Sequence, residues 1–334
     1  MSFFNRRKKW ENFNGNINIY ENLKYSDIDK LLKEEQIHCI QFYKFKNPNR
    51  KTWEILNEFY QKNPKLGLHV FWYDIIDFNF LDLIPSVKAL SITSYLTIDF
   101  KPLLKIPNLK KLGIGETKST HVDLSFISEF NNLESLYIDG MKKGLDAISK
   151  LSLLKSLTLR GIKMSNLDLI IGLKNLRELN LLFGSYKNLD AISTIVNLEK
   201  LEISRTRQIP NFEFLDFLTN LKSLCLEGMS KMETLPNLRG LKNLKKIQID
   251  NNSRLIDISS IEQLKSLEQL VLFFPENFKA DFRRILLAQL LKVLLSSESI
   301  KFSTLIHLMD EQARIKLSAK GIESWNFSNP KIEN

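Results

Sequence analysis

The segment from residue 173 to 184, LKNLRELNLLFG, places leucines at positions 176, 179 and 181. Nearly the same pattern recurs in residues 196 to 207, VNLEKLEISRTR, where Leu198 lies 22 positions after Leu176. Both segments fit the pattern L-x-x-L-x-L, which ends in alternating apolar and polar residues. That alternation is typical of a strand with one buried face. The chain therefore contains at least two copies of a strand-forming unit.

The pattern occurs nine times, at steps of 21 to 24 residues, and opens at Val87, Leu109, Leu133, Leu154, Leu176, Leu198, Leu221, Leu244 and Leu267. A second apolar set, such as Leu167, Ile170 and Leu173, separates one match from the next. This second set belongs to the segment that leads from one strand back to the start of the next, which we call the return. A return of this length predicts a 3₁₀ helix or a single helical turn. A strand and its return cannot bury their own leucines, so we expect the copies to stack into a parallel sheet.

At this period the chain resembles the leucine-rich repeat family, in the short 22-residue class typical of bacterial and phosphatase-regulator-type proteins. The resemblance covers residues 87 to 273. It implies an α/β leucine-rich-repeat solenoid with a curved parallel sheet and short 3₁₀ or helical returns. The family's turn asparagine has one counterpart here, Asn252, and glycines near the strand ends are expected to make the other turns: Gly115, Gly140, Gly161 and Gly228.

An aspartate precedes an apolar pair in six returns, at Asp99, Asp123, Asp146, Asp168, Asp190 and Asp257. Stacked carboxylates are calcium ligands in some repeat proteins, but those repeats use glycine-rich ligand loops that are missing here. An aspartate before a short helical turn also accepts backbone N–H groups. We therefore predict helix caps and no metal site.

Three regions are predicted. Residues 1–86 form an N-terminal cap of strand-helix units, with strands at 17–20, 37–45 and 66–73 and with helices that begin at Ser26 and at Asn47-Pro48. Residues 87–275 form the nine repeats. Residues 276–334 form a helical C-terminal cap, with an amphipathic helix over 278–297 and a second helix over 304–320. A basic apolar helix also suits a membrane surface, but the bare leucine edge of the last repeat favours a cap.

Composition excludes several classes of protein. The chain has 334 residues and a formal charge of +10 that is distributed along its whole length. It has no secretory signal and no apolar run long enough to span a membrane, and its two cysteines, Cys39 and Cys225, fit a reducing cytoplasm. Phosphate-loop, dinucleotide, zinc-protease and paired-cysteine motifs are absent. We expect no catalytic, cofactor or metal site, and Cys225 is interpreted as an ordinary residue of the sheet surface.

The open, concave face of the sheet is where a solenoid binds. Small residues there predict a depression between Tyr43, His69 and Phe71 on one side and Tyr137 on the other, followed by a mixed, net acidic stretch. Exposed aromatic residues beside a depression resemble protein-binding hot spots. The residues predicted to contact a protein partner are Tyr43, His69, Phe71, Thr93, Gly113, Gly115, Tyr137, Asp139, Arg160, Glu202, Glu227 and Asp250. The alternative is that Tyr43 and Phe71 pack under the N-terminal segment.

A nucleic acid or another polyanion is the rival partner. The residue after the opening leucine is basic in six of the nine repeats, at Lys88, Lys110, Lys155, Arg177, Lys222 and Lys245. Such a row can follow phosphates, but Glu134, Glu199 and Glu268 interrupt it. The sequence therefore predicts a monomeric, non-enzymatic interaction module that binds a protein, with the lysine-rich sheet edge as the alternative binding site.

Overall fold

The computed structural model describes residues 8–119, 121–209 and 211–273. The chain divides into two compact units, Met1–Ile162 and Lys163–Asn334. The helices predicted over 278–297 and 304–320 lie outside the described residues. The region boundaries near residues 86 and 275 stay predictions.

The first unit contains eight strands of a sheet whose order follows the chain. Strands β1 and β2 form an antiparallel hairpin, and every later strand joins its predecessor in parallel. The strands are β1 (Trp10–Phe13), β2 (Asn16–Ile19), β3 (Cys39–Phe42), β4 (Gly67–Trp72), β5 (Ala89–Ser94), β6 (Lys111–Ile114), β7 (Ser135–Asp139) and β8 (Ser156–Arg160).

The second unit contains five parallel sheet strands, again in chain order, and a separate pair of two-residue strands. The short pair is β9 (Lys163–Met164) with β11 (Ser185–Tyr186). The sheet strands are β10 (Glu178–Leu182), β12 (Lys200–Ser204), β13 (Ser223–Glu227), β14 (Lys246–Asp250) and β15 (Gln269–Phe273). All nine predicted repeat strands are therefore present, and the predicted parallel stacking is confirmed.

Short 3₁₀ helices form most of the returns, as predicted. In the first unit they span Tyr25–Asp27, Phe78–Leu83, Lys101–Lys105, Ser125–Glu129 and Leu145–Lys150. In the second unit they span Asp168–Ile170, Asp190–Thr194, Glu213–Phe217 and Ser259–Gln263. The α-helices of the described residues are α1 (Ile28–Leu31) and α2 (Arg50–Lys62).

The repeated leucines form the core. Leu176, Leu179 and Leu181, which define the repeat in the sequence, are each fully buried. Complete burial of a leucine side chain contributes about 1.5 to 3 kcal/mol. Because β10 joins β12 in register, Leu179 lies beside Leu201 and Leu181 beside Ile203. The core is thus a set of leucine rows that run across the strands.

In six of the repeats the chain turns after the strand through a residue with left-handed backbone geometry. Gly140, Gly161 and Gly228 have φ of 71°, 66° and 62°, as expected for glycine. In the other three of these repeats the equivalent residues are Phe183, Arg205 and Asn251, with φ of 54°, 47° and 52°. The expectation for Gly115 was wrong in its reason, because its φ is not left-handed. Gly115 is needed for space, since a Cβ there would collide with the Thr93 side chain.

Side-chain amides and hydroxyls satisfy backbone groups at two levels. Asn252 is fully buried, accepts the Met229 N–H at 2.6 Å and donates to the Leu226 carbonyl at 2.9 Å. Thr206 holds the equivalent position and donates to the Leu181 carbonyl at 3.0 Å. A second set of asparagines, just before the opening leucines, donates to carbonyls of the preceding repeat from Asn197, Asn220 and Asn243. Asn252 and Thr206 therefore fill the family's asparagine position in two repeats, and the asparagines before the opening leucines satisfy other carbonyls.

The predicted aspartate caps are confirmed in part. The carboxylates of Asp99, Asp123 and Asp257 each accept a backbone N–H two residues later, at 2.8 to 2.9 Å. In two other repeats the N–H of the aspartate itself donates to an asparagine side chain. The Asp168 N–H donates to Asn166, and the Asp190 N–H donates to Asn188. The caps are therefore distributed over more than one position.

The N-terminal region differs from the prediction in two places. Asn14 and Gly15, both with positive φ, form a two-residue turn that adds the unpredicted strand β1. Helix α2 matches the segment that Asn47-Pro48 is predicted to open, and it begins one residue after Asn49, whose side chain accepts the Thr52 N–H at 2.9 Å. The helix predicted after Ser26 is a 3₁₀ turn followed by the four-residue α1.

The close approach of neighbouring repeats predicts that a side chain at Gly144 destabilises the fold. Its φ of 72° matches the 71° of Gly140, but a Cβ at Gly144 would collide with the Asp123 carboxylate and the Ser125 backbone, whereas a Cβ at Gly140 meets no atom within 4 Å. Both alanine variants pay the left-handed backbone cost of about 1 kcal/mol. Gly144→Ala should cost about 1 to 3 kcal/mol more. Urea unfolding of the two variants measures the difference, and equal midpoints would contradict the close approach.

Candidate functional site

The open face of the first unit is formed by alternate residues of its strands. Gln41, His69, Ser91, Gly113 and Tyr137 lie side by side in one row across β3 to β7. A second row, two residues further along, contains Phe71 of β4 beside Thr93 of β5, and Asp139 of β7 beside Arg160 of β8. The structure thus places the nine predicted site residues of the first unit on or next to one sheet face.

Four aromatic side chains project at the carboxyl end of this face, and we call them the aromatic ridge: Tyr43, Phe71, Tyr73 and Tyr95. Tyr43 and Phe71 form one ring pair with centroids 5.1 Å apart. Tyr73 and Tyr95 form a second, stacked pair with centroids 5.2 Å apart. The exposed fractions are 52%, 41%, 58% and 38% in chain order. Tyr43 and Phe71 are therefore exposed and are not buried under the part of the N-terminal region that the structure describes.

Sequence reasoning missed Tyr73 and Tyr95. Each lies two residues beyond a predicted open-face position, Tyr73 beyond Phe71 and Tyr95 beyond Thr93. Tyr73 continues the alternation of His69 and Phe71 beyond the end of β4 at Trp72. Extending that alternation by one step would have found both tyrosines.

Small residues occupy the place where the sequence predicts a depression. Gly113 and Gly115 are buried although they belong to the open face. A Cβ on Gly113 would lie 2.6 Å from the Ser91 hydroxyl. His69 Nε2 lies 3.2 Å from the Thr93 hydroxyl, and burial lowers the pKa of the imidazole. The floor is therefore closed by small side chains and holds a neutral histidine.

Tyr137, Asp139 and Arg160 form a hydrogen-bonded cluster beside the depression. The Arg160 Nη1 donates to Asp139 Oδ2 at 2.7 Å, and the Tyr137 hydroxyl donates to the same oxygen at 3.2 Å. Asp139 is only 7% exposed. Burial, followed by the Asp139 charge, raises the pKa of Tyr137 to about 12. This cluster holds Tyr137 in place and neutralises the first charge of the predicted acidic stretch.

The other three predicted residues lie on the sheet of the second unit. Glu202 is beside Cys225 in the register, and Glu227 is beside Asp250. Burial and the neighbouring carboxylates Glu227 and Glu178 raise the pKa of Glu202, and burial and Glu227 raise that of Asp250. Glu227 accepts a 2.6 Å hydrogen bond from the Ser204 hydroxyl and pairs with Arg205 at 3.1 Å. This surface is acidic and partly neutralised.

Four of the six basic residues after the opening leucines form ion pairs with acidic neighbours. In the first unit the ammonium groups of Lys110 and Lys155 contact Glu134 at 2.7 and 2.6 Å and lower the pKa of Glu134 to about 2. In the second unit Lys222 pairs with Glu199 at 2.7 Å and Lys245 with Glu268 at 2.9 Å. A groove of about 410 Å³ there is lined by Arg177, Lys222, Lys245, Glu199 and asparagines. Lys222 and Lys245 of this groove are in ion pairs, and the Arg177 guanidinium donates to the Lys174 and Leu176 carbonyls at 3.0 and 3.1 Å.

Reactive groups are sparse within the described ranges. Burial raises the pKa of the Cys39 thiol to about 12, and burial together with Glu202 and Glu227 does the same for Cys225. Over residues 8–119, 121–209 and 211–273, no group of three or more histidine, cysteine or acidic side chains is arranged to hold a metal ion. No helix in that part of the chain has the length and apolar character needed to cross a membrane.

Comparison with known proteins supports the fold. No protein-family model and no curated protein matches the chain. The chain is similar to an internalin (inlF) from Listeria monocytogenes, with a TM-score of 0.53 at 16% identity over 76% of this chain and 72% of that chain. An internalin C2 (inlC2) from the same organism gives 0.47 at 22% identity over 59% and 84%. A Leptospira interrogans LRR protein gives 0.39 at 14% identity over 80% and 91%. The similarity to the internalin inlF agrees with the parallel strand pairing of each unit, and the fold is a leucine-rich-repeat solenoid.

The Asp139 cluster predicts a stability effect. Arg160→Met removes the cation from a carboxylate that is 7% exposed, which should cost about 1 to 3 kcal/mol of folding free energy. Lys110→Met is the control, because Glu134 retains Lys155, and its cost should stay below about 0.5 kcal/mol. Denaturant unfolding of both variants measures the difference. Equal losses would show that Asp139 does not depend on Arg160.

The carboxylates of the second unit predict a pH dependence. A folded-state pKa above the unfolded value means that the charged form destabilises the fold, and this penalty disappears as the pH falls below the unfolded pKa. Glu202→Gln should therefore stabilise the protein at pH 7 by about 0.5 kcal/mol and leave it unchanged near pH 3. Glu233→Gln, at an exposed loop residue, is the control. Thermal melting at both pH values tests this, and stabilisation that persists at pH 3 would assign the effect to packing.

Proposed function

We propose that the chain is a non-enzymatic interaction protein, monomeric by itself and cytoplasmic, that holds a protein partner on the open sheet face of its first unit. The observation that carries the proposal is the exposed pair of Tyr43 and Phe71, with ring centroids 5.1 Å apart. His69 lies edge-on to Phe71 at 6.1 Å, which supports the ring from the other side.

Aromatic residues that are held in place make effective anchors. A large ring buries much apolar area and loses little conformational entropy when its position is already restricted. Protein interfaces are enriched in such residues, and a few of them carry most of the binding free energy. The Tyr43 and Phe71 rings fit this role, and the closed floor at Gly113 and Gly115 offers a flat surface beside them.

Several observations support a role without catalysis. Both thiols have pKa values raised to about 12, so neither is a thiolate at neutral pH. His69 faces the Thr93 hydroxyl at 3.2 Å, and its neutral imidazole has no acidic group to orient it within the described residues. The pairing of nucleophile, base and orienting acid that such catalysis needs is therefore not assembled on this face.

The proposal predicts that two sets of substitutions separate a protein partner from a polyanion. Tyr43→Ala with Phe71→Ala should weaken capture of the natural partner by about 2 kcal/mol or more for each anchor. Lys110→Glu with Lys245→Glu should change it little, because these lysines lie in exposed ion pairs. Retention from lysate at two salt concentrations measures both effects, with Phe217→Ala, at an exposed ring of the second unit, as the control.

The opposite pattern would overturn the choice of surface. If the lysine variant alone lost its partner, and affinity fell steeply and log-linearly with salt, counterion release from a nucleic acid would be indicated. The lysine-rich edge would then be the binding site.

A further inference from the structure

We propose that the aromatic ridge recognises a proline-rich segment in the extended polyproline II conformation. This inference rests on the proposed function and specifies the class of partner for the same face. It is carried by three properties of the ridge: its two neighbouring aromatic ring pairs, its free hydroxyl groups, and the small net charge and occupied backbone groups around it.

The two ring pairs are neighbours along the chain. Phe71 of the first pair lies in β4, and Tyr73 of the second pair stands two residues later, just after that strand ends at Trp72. Adjacent exposed aromatic rings form the kind of aromatic-lined surface on which proline-rich segments dock.

The hydrogen-bonding groups are complementary. The hydroxyls of Tyr43, Tyr73 and Tyr95 are all on exposed side chains, and among the described residues none of them has a hydrogen-bond partner. A polyproline II segment makes no internal hydrogen bonds, and proline has a carbonyl acceptor but no N–H. The ridge offers donors, and this kind of segment offers acceptors.

The backbone around the ridge is already occupied. The Tyr73 carbonyl accepts the Leu96 N–H at 3.2 Å, and the Tyr95 carbonyl accepts the Lys118 N–H at 2.8 Å. A partner therefore cannot add to these positions as another strand, which would require free backbone groups. Recognition must use side chains.

The charge around the ridge favours an uncharged segment. Lys46 and Asp74 form an ion pair, and the nearby exposed charges are Lys44, Glu116 and Lys118. The local sum is about one positive charge, too little to follow a phosphate backbone. A segment that is already extended also loses little entropy on binding, which suits a small contact area.

The test uses the full chain and a fluorescein-labelled decaproline peptide, followed by fluorescence anisotropy. We expect saturable binding at least tenfold tighter than that of a labelled ten-residue glycine-serine peptide. Tyr73→Ala with Tyr95→Ala should weaken binding at least tenfold. Tyr73→Phe with Tyr95→Phe keeps both rings and removes both hydroxyls, and should weaken it several-fold. Phe217→Ala should leave the affinity unchanged.

Three results would overturn the inference: no saturable decaproline binding up to about 1 mM, equal binding of the glycine-serine peptide, or affinity unchanged in the Tyr73 and Tyr95 alanine variant. Tighter binding of a labelled ten-nucleotide oligouridine would instead assign the ridge to single-stranded nucleic acid. If decaproline fails while Tyr43→Ala with Phe71→Ala still abolishes capture of the natural partner, only the class of segment is wrong. If that capture is also unaffected, the proposed function itself fails.

Discussion

Burial of leucine by a neighbouring repeat is the constraint on which the rest of the structure depends. A strand with a short return cannot enclose its own apolar side chains, so Leu179 is covered only because Leu201 lies beside it in register. Register also determines the other face, because successive side chains of a strand point in opposite directions. Once Leu179 and Leu181 point inward, Asn180 must point outward. The open face is therefore a consequence of the leucine spacing, and its chemistry is free to vary.

The turns show how the same constraint is met with different residues. After β7 and β8 glycine adopts the left-handed conformation, whereas after β10 and β12 Phe183 and Arg205 do so. The N–H of Arg205 donates to the Glu227 carbonyl at 2.7 Å, and that of Phe183 to the Ser204 carbonyl at 2.8 Å. Gly140 and Gly228 make the same bond, to the Arg160 and Asp250 carbonyls at 2.9 and 2.8 Å. The hydrogen bond between repeats, and not glycine itself, is the common requirement.

These facts explain which features the sequence predicts. The nine repeat strands follow from the leucine spacing, since periodicity reports burial directly. The hairpin of β1 and β2 was missed although Asn14-Gly15 is a strong turn signal, because no leucine pattern marks it. Tyr73 and Tyr95 were missed because they lie beyond the apolar alternation. The double pairing of Glu134 depends on side-chain conformations across neighbouring strands, which spacing alone does not specify.

The distribution of charge and aromatic rings favours one surface over the other. A lysine of the sheet edge that contacts a glutamate, as Lys222 contacts Glu199 at 2.7 Å, must give up that contact before it binds a phosphate. The exposed parts of the Tyr43 and Phe71 rings face water, so no ion pair has to be broken before another group packs against them. The two rings keep their mutual contact, with centroids 5.1 Å apart, when a third group covers their exposed surface. Covering exposed apolar area is favourable at about 25 cal/mol per Å². Under the proposed function a partner therefore gains more from the rings than from the edge, and the leucine register that buries the core also holds those rings side by side.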